Sequence, residues 1–342
     1  MMPEAKEKNI SLPIDFAPME GITEAIYRRA HHACFGGVDT YYLPFISPTM
    51  HLVLNGREKN NVLPKYNEGL RCVPQVLTKD PEHFLWAARL LADMGYEEIN
   101  LNAGCPSATV TTKDKGAGIL KDPDTLARFL DRICEESPVP VSVKTRAGFE
   151  SPDEWERLVK VYAGVPLKRL ILHPRTRNEN YTPGRIHPEL VQMTAEIFRG
   201  DVIYNGDLFS RADVENILKS APGIRGVMLG RGLVANPAFG RELKGGEKLK
   251  KEELIRFHDM LSEAFQERFQ KEIVFMKLRV VMKHLACCFE DAKKEEKAIR
   301  RAKDLKALLE VDRKLFETKE LKEDPCFIPD ELKKESAPTM II

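Results

Sequence analysis

Short apolar runs recur along the first two-thirds of the chain, and each gives way to a loop rich in Gly, Pro, Asn or Asp before an amphipathic stretch begins. The runs predict strands at Ile14–Ala17, Thr40–Phe45, Val73–Leu77, Glu98–Leu101, Val139–Lys144, Arg169–His173, Val202–Asn205 and Gly226–Leu229. Helical spacing between them predicts helices over Glu82–Met94, Pro123–Glu136 and Pro152–Ala163. Each of these begins at Asp-Pro or Ser-Pro, where a capping side chain meets a first helical residue that needs no N–H. Alternation of strand and helix predicts a parallel sheet. Eight units in about 240 residues fit an α/β fold closed as a (β/α)8 TIM barrel. A doubly wound open sheet is the structural alternative, with its crevice where the strand order reverses.

The pattern changes after Gly245-Gly246. From about residue 250 to 320 strand-like runs give way to Lys, Glu, Leu and Arg at helical spacing, as in Leu254–Phe269 and Ile273–Cys288. This predicts three or four helices and a division into a polar tail (1–11), a catalytic barrel (12–246), a helical domain (247–321) and a C-terminal tail (322–342). Basic residues crowd the helical part. Most are interleaved with acids as on a solvated face, but Lys277, Arg279 and Lys283 have few acidic neighbours and are the better phosphate contacts.

Composition narrows the class without naming a function. With 342 residues, 43% hydrophobic and 31% charged, the chain reads as soluble and globular. No run approaches the roughly 18 apolar residues of a membrane span, so no membrane partner is expected. The polar N-terminus lacks the apolar core of a signal peptide. Seven scattered cysteines without CxxC spacing suit neither a disulfide framework nor a metal centre, and they point to the reducing cytoplasm. A net charge of +1 means that nucleic acid would be held by a local basic surface rather than a global field. A monomer is the expectation.

The strand ends carry the chemistry. Pro18-Met19-Glu20 follows the first, Gln75 lies in the third, and Asn102 and Cys105 follow the fourth. Lys144 and Arg146 end the fifth, His173 and Arg175 the sixth, Asn205-Gly206-Asp207 the seventh and Gly230-Arg231-Gly232 the eighth. Barrel enzymes build their sites on that rim, from several strands at once. Cys105 sits between Gly104 and Pro106, a setting that can present a thiol, although buried free cysteines are also common. Lys144 needs either a ligand that gains negative charge or a carboxylate in the barrel. His173 reads as a core histidine until its neighbours Arg175 and Arg177 are considered. The last two loops offer backbone N–H groups and Arg231 to a phosphate. Gly230–Ala235 also matches GxGxxA, but it closes the series instead of opening it, so a mononucleotide fits better than a dinucleotide.

Ala17-Pro18-Met19-x-Gly21-x-Thr23, Asn100-Leu101-Asn102-x-Gly104-Cys105-Pro106, Gly116–Leu120, Val143–Arg146 and His173–Arg177 with Tyr181 together resemble the tRNA-dihydrouridine synthase family over roughly residues 12–320. The resemblance implies a flavin-binding barrel followed by a tRNA-binding helical domain. It implies FMN at Pro18, Met19, Glu20, Gln75, Lys144 and His173, with Asn205, Gly206, Asp207, Gly230 and Arg231 on the phosphate side. Cys105 takes the catalytic role, while Asn102, Arg146 and Arg175 face the substrate. Reduced FMN then delivers hydride to C6 of a uracil in tRNA and Cys105 gives a proton to C5, with NADPH or NADH recharging the flavin. A free thiol is largely protonated at neutral pH and suits that task. The chain departs from the family at Pro174, which replaces the usual Gly, and at Thr182-Pro183-Gly184-Arg185, beside the expected substrate loop. A flavin barrel acting on a free pyrimidine would not need the helical domain. An RNA-binding protein without catalysis would not need Cys105 and Lys144.

Overall fold

A computed structural model describes residues 9–182 and 184–326; the outer parts of both predicted tails, and Pro183, lie outside the described residues. The sheet strands are β1 (Ile14–Phe16), β2 (Thr40–Tyr42), β3 (Cys72–Val73), β4 (Gln75–Val76), β5 (Ile99–Ala103), β6 (Val141–Gly148), β7 (Arg169–Thr176), β8 (Asp201–Asn205) and β9 (Gly226–Leu229). All pairings are parallel, in the order β3-β2-β1-β9-β8-β7-β6-β5-β4. The two ends of that order, β3 and β4, are halves of one stave separated only by Pro74, so the sheet closes on itself. Proline has no N–H for the ladder, but its carbonyl still accepts from Asn100 at 2.9 Å. The barrel therefore has the eight staves that the sequence predicts, and the doubly wound alternative is excluded.

Side chains alternate across each strand, and that alternation sorts the interior from the exterior. Ile99, Leu101 and Ala103 of β5, Val141 and Val143 of β6, and Leu170 and Leu172 of β7 point outward into the core under the helices. Ala17, Tyr42, Val73, Ile171, Ile203 and Met228 form a separate cluster inside the barrel. The same parity turns Asn100, Asn102, Ser142, Lys144, Arg146, His173 and Arg175 inward. The interior thus combines that apolar cluster with amides and cations, and with the buried Asp15 carboxylate beside Arg169.

The three Pro-led helices form as the caps predict. Asp80 Oδ1 accepts from the Glu82 and His83 amides, Asp122 Oδ1 from those of Asp124 and Thr125, and Ser151 Oγ from that of Asp153. The last of these opens as a 3-10 turn, Pro152–Glu154, before the helix Trp155–Ala163. Four further helices follow the barrel: Lys251–Arg268, Lys271–Leu285, Lys293–Arg301 and Leu305–Thr318. Phe257 packs edge-on against Tyr27 and Phe35 of the helix Ala25–Cys34, with centroids 5.3 and 5.2 Å apart. Lys277 pairs with Glu24 at 2.6 Å on the barrel side of that seam. Lys277 also lies over the rings of Phe265 and Phe269, so its charge serves the seam instead of standing free for a phosphate.

Candidate active site

A cavity of about 380 Å³ opens at the C-terminal ends of the strands. It brings together Pro18, Met19, Glu20, Gln75, Asn102, Cys105, Lys144, Arg146, His173, Asn205, Gly206, Asp207, Gly230 and Arg231. Of the residues singled out in the sequence, Arg175 alone does not line it. Its side chain is fully buried, and its guanidinium is taken up by Asp207, the Thr182 carbonyl (3.1 Å) and His173 Nε2 (3.1 Å).

Cys105 is half-buried on the loop after β5. Asn102 shapes that loop, because its Oδ1 accepts the Gly104 amide at 3.1 Å and the Cys105 amide at 2.9 Å. Asn102 pairs with Lys144 in the ladder, which places the lysine beside the thiol loop. Burial as an inert core cysteine does not describe this position.

Lys144 has no carboxylate partner among the described residues, which removes the barrel ion pair as an explanation. Desolvation, with a lesser contribution from the Arg146 charge, pushes its ammonium down to about 7. His173 is held well below its ordinary value by burial and then by the charges of Arg146, Lys144, Arg175 and Arg231. Its imidazole is neutral at physiological pH. A guanidinium can only donate, so the bond from Arg175 makes Nε2 the acceptor and leaves the proton on Nδ1.

Arg146 ties two loops together. Its Nε donates to the Gly104 carbonyl at 2.9 Å, and one terminal nitrogen donates to the carbonyls of Thr176 (2.9 Å) and Asn180 (2.7 Å). Beyond it, the half-exposed Tyr181 ring has the guanidiniums of Arg146 and Arg231 near it, at 5.0 and 5.2 Å from its centroid. The sequence reading did not place Tyr181 in the site. Its spacing from His173 carries no periodic signal, because it comes from an irregular loop.

The last two strand ends form the anion-facing corner. Asp207 adopts a left-handed φ of 43° and holds both Arg175 and Arg231, the latter at 2.9 Å. Gly206 has φ 148°, and a Cβ on it would sit 2.7 Å from Ile186 and 3.2 Å from the His173 ring. Only glycine fits there. Asn205 Nδ2 donates to the Met228 carbonyl at 2.8 Å, joining β8 to β9 beneath the corner. Glu20 is paired with Arg57 at the opposite lip. Asp207 is thus shared between Arg175 and Arg231, while Lys144 and Arg146 line the cleft without a carboxylate partner among the described residues, a balance that favours an anionic ligand.

A closed parallel barrel with a thiol, a lysine without a carboxylate partner and a cationic corner at its strand ends has the form of a (β/α)8-barrel enzyme whose mouth suits an anionic ligand. The dihydrouridine synthase family profile matches residues 15–323. The chain belongs to that family of oxidoreductases. It is 31% identical over 258 residues to the tRNA-dihydrouridine(16) synthase of Pseudomonas putida, covering 73% of this chain and 79% of that one. It is 30% identical over 258 residues to a probable tRNA-dihydrouridine synthase of Staphylococcus epidermidis, covering 73% and 78%. Among solved structures it resembles morphinone reductase at 13% identity and a TM-score of 0.49, covering 72% of this chain and 90% of that one. That likeness is too slight to add to the strand order. No helix among the described residues is long and apolar enough to cross a membrane.

Proposed function

We propose that the protein reduces the C5–C6 double bond of uridine in tRNA, with FMN bound in the barrel mouth and Cys105 as the proton donor. One juxtaposition carries the reading: Cys105 and an unpaired Lys144 line the same cavity, next to a corner of glycine loops and Arg231. The residues suit FMN. Lys144 lacks an anion that an electron-rich ring edge would supply, and the Gly206 and Gly230 loops bring backbone to the cavity wall beside Arg231, where a phosphate would be held. Asp207 contributes by holding Arg231 in place, since its own carboxylate would repel a phosphate. When bound in its reduced form, FMN supplies hydride to C6 of the uracil.

The chain's own residues do the rest. Cys105 donates its thiol proton to C5, and the loop fixed by Asn102 sets where that proton stands. Lys144, shifted down to about 7, is poised to take up charge when a carbonyl or ring edge beside it becomes anionic. Neutral His173 offers Nδ1–H as a donor without adding charge. Arg146 and Arg175 act mainly on the loops around the base: Arg146 joins the Cys105 loop to residues 176–180, and Arg175 secures Asp207. Tyr181, half exposed at the cavity mouth and steadied by two nearby guanidiniums, offers a ring to a base that has left its stack. NADPH or NADH would supply the reducing equivalents to the flavin. Cys34, Cys72, Cys105, Cys134 and Cys288 are free thiols, which agrees with a reaction in the cytoplasm.

The test is reconstitution. Purified protein, FMN, NADPH and tRNA transcribed without modifications should yield dihydrouridine, and mapping tRNA from cells with and without the gene should show which position disappears. Absence of dihydrouridine in both experiments would refute the reading.

A further inference from the structure

The amides inside the barrel form a relay with only one direction. Backbone N–H groups can only donate, so the Gly104 and Cys105 amides require the Asn102 atom facing them to be Oδ1. Asn102 Nδ2 is then the donor to Gln75 Oε1, at 2.7 Å. Gln75 must in turn point Nε2 at Asn100, whose Oδ1 accepts at 2.7 Å. Asn100 donates Nδ2 onward to Ser142 Oγ, at 2.9 Å. A serine hydroxyl can donate as well as accept, so the relay ends there without imposing a direction. Asn100 and Ser142 are fully buried and Gln75 is 1% exposed, so bulk water does not compete for these bonds. Turning one amide over would set donor against donor where the dielectric is low and the cost is high.

We propose that Asn100 is a positioning residue for Cys105, acting through Gln75 and Asn102. The proposal rests on the reading of Cys105 as proton donor. Asn100 lies too deep to meet a substrate and lines no part of the cavity. Its carbonyl is the acceptor that holds Gln75 in the orientation Asn102 needs. Without it, Gln75 is free to turn its amide, and the turned amide faces Asn102 Nδ2 with a second donor. Asn102 can answer only by giving up the Gly104 and Cys105 amides. Asn100→Leu removes the acceptor while keeping the branched outline, at a somewhat larger volume. Asn100→Asp keeps it, and when protonated in that setting it also keeps a donor toward Ser142.

The experiment compares both variants as flavin-loaded protein. Asn100→Leu should retain bound flavin and an unchanged KM for tRNA, while kcat falls about 10- to 100-fold, the scale on which misplaced catalytic groups are felt. Alkylation of Cys105 by iodoacetamide should quicken several-fold, because the released loop shields the thiol less. Asn100→Asp should restore both readouts toward wild type. Asn100→Ser, too short to reach Gln75, carries the same expectation as the leucine variant if that one fails to fold. Wild-type kcat and alkylation in Asn100→Leu, or equal impairment in Asn100→Asp, would overturn the proposal. Full turnover in Cys105→Ala would instead overturn the role of the thiol, and the alkylation rates would still decide whether Asn100 holds the loop.

Discussion

A Cβ placed on Gly116 would lie 2.9 Å from the Cβ of Cys105 and 2.8 Å from its carbonyl oxygen, so these two loops touch only because Gly116 has no side chain. Its φ of 57° adds a second reason for glycine. The Cys105 carbonyl also accepts the Ala117 amide at 3.0 Å, so the turn at 116 forms one wall of the thiol loop. Gly116→Ala should displace Cys105, lowering kcat for dihydrouridine formation about 10- to 100-fold. Flavin content, read from visible absorbance, should change little because the cofactor corner lies on other strands.

Cys105→Ala removes the proposed proton donor without touching the cofactor loops. The variant should bind flavin as the wild type does and should still be reduced by NADPH in stopped-flow measurements. Dihydrouridine formation on tRNA should fall by about 10²- to 10⁴-fold, the span that general acids supply. Turnover at the wild-type rate would assign the proton to another group.

Asp207→Ala leaves the fully buried Arg175 without its carboxylate and releases Arg231 on the rim. Breaking a buried pair by removing one partner costs about 3–5 kcal/mol. Chemical denaturation should register a loss of that order in the unliganded protein. Added FMN should recover less of it than in the wild type, since Arg231 loses the carboxylate that helps to orient it.

The depressed Lys144 gives stability a pH dependence of known sign. Below about 7 the ammonium is charged in both the folded and the unfolded chain, and the folded state bears the whole desolvation cost. Above that pH the folded chain gives up its proton while the unfolded chain holds on to one up to the ordinary lysine range, so the wild type gains stability as pH rises between the two. Lys144→Met should therefore stabilise the unliganded protein by about 3 kcal/mol at low pH, a figure that allows for partial solvent screening. The gain should shrink toward pH 10. Urea midpoints across that range check it, and a gain that grew with pH would contradict the assigned shift.

The periodic parts of the chain were legible early. Apolar runs along Val139–Lys144 and Arg169–His173 name the strands, and Asp80-Pro81, Asp122-Pro123 and Ser151-Pro152 mark helix starts, because both signals are local. The ends were less so. The fifth and sixth predicted strands stop at Lys144 and His173, while β6 and β7 run on to Gly148 and Thr176. There the polar residues Arg146, Arg175 and Thr176 stay in the ladder, because buried partners satisfy them. Lys277 looked free for the same reason in reverse: Glu24, its partner, is remote in sequence.

By itself the sequence determined the eight strand positions, the helices that follow them, and the set of rim residues, since each follows from periodicity or from residues a few positions apart. Closure of the strands into a barrel came from their pairing. Only the tertiary structure decided what those residues do to one another. It spent Arg175 on Asp207, left Lys144 without a carboxylate, and joined Asn100 to Cys105 through two amides from different strands. Charge balance and hydrogen-bond direction depend on neighbours brought together by closure of the barrel, and no local pattern encodes them.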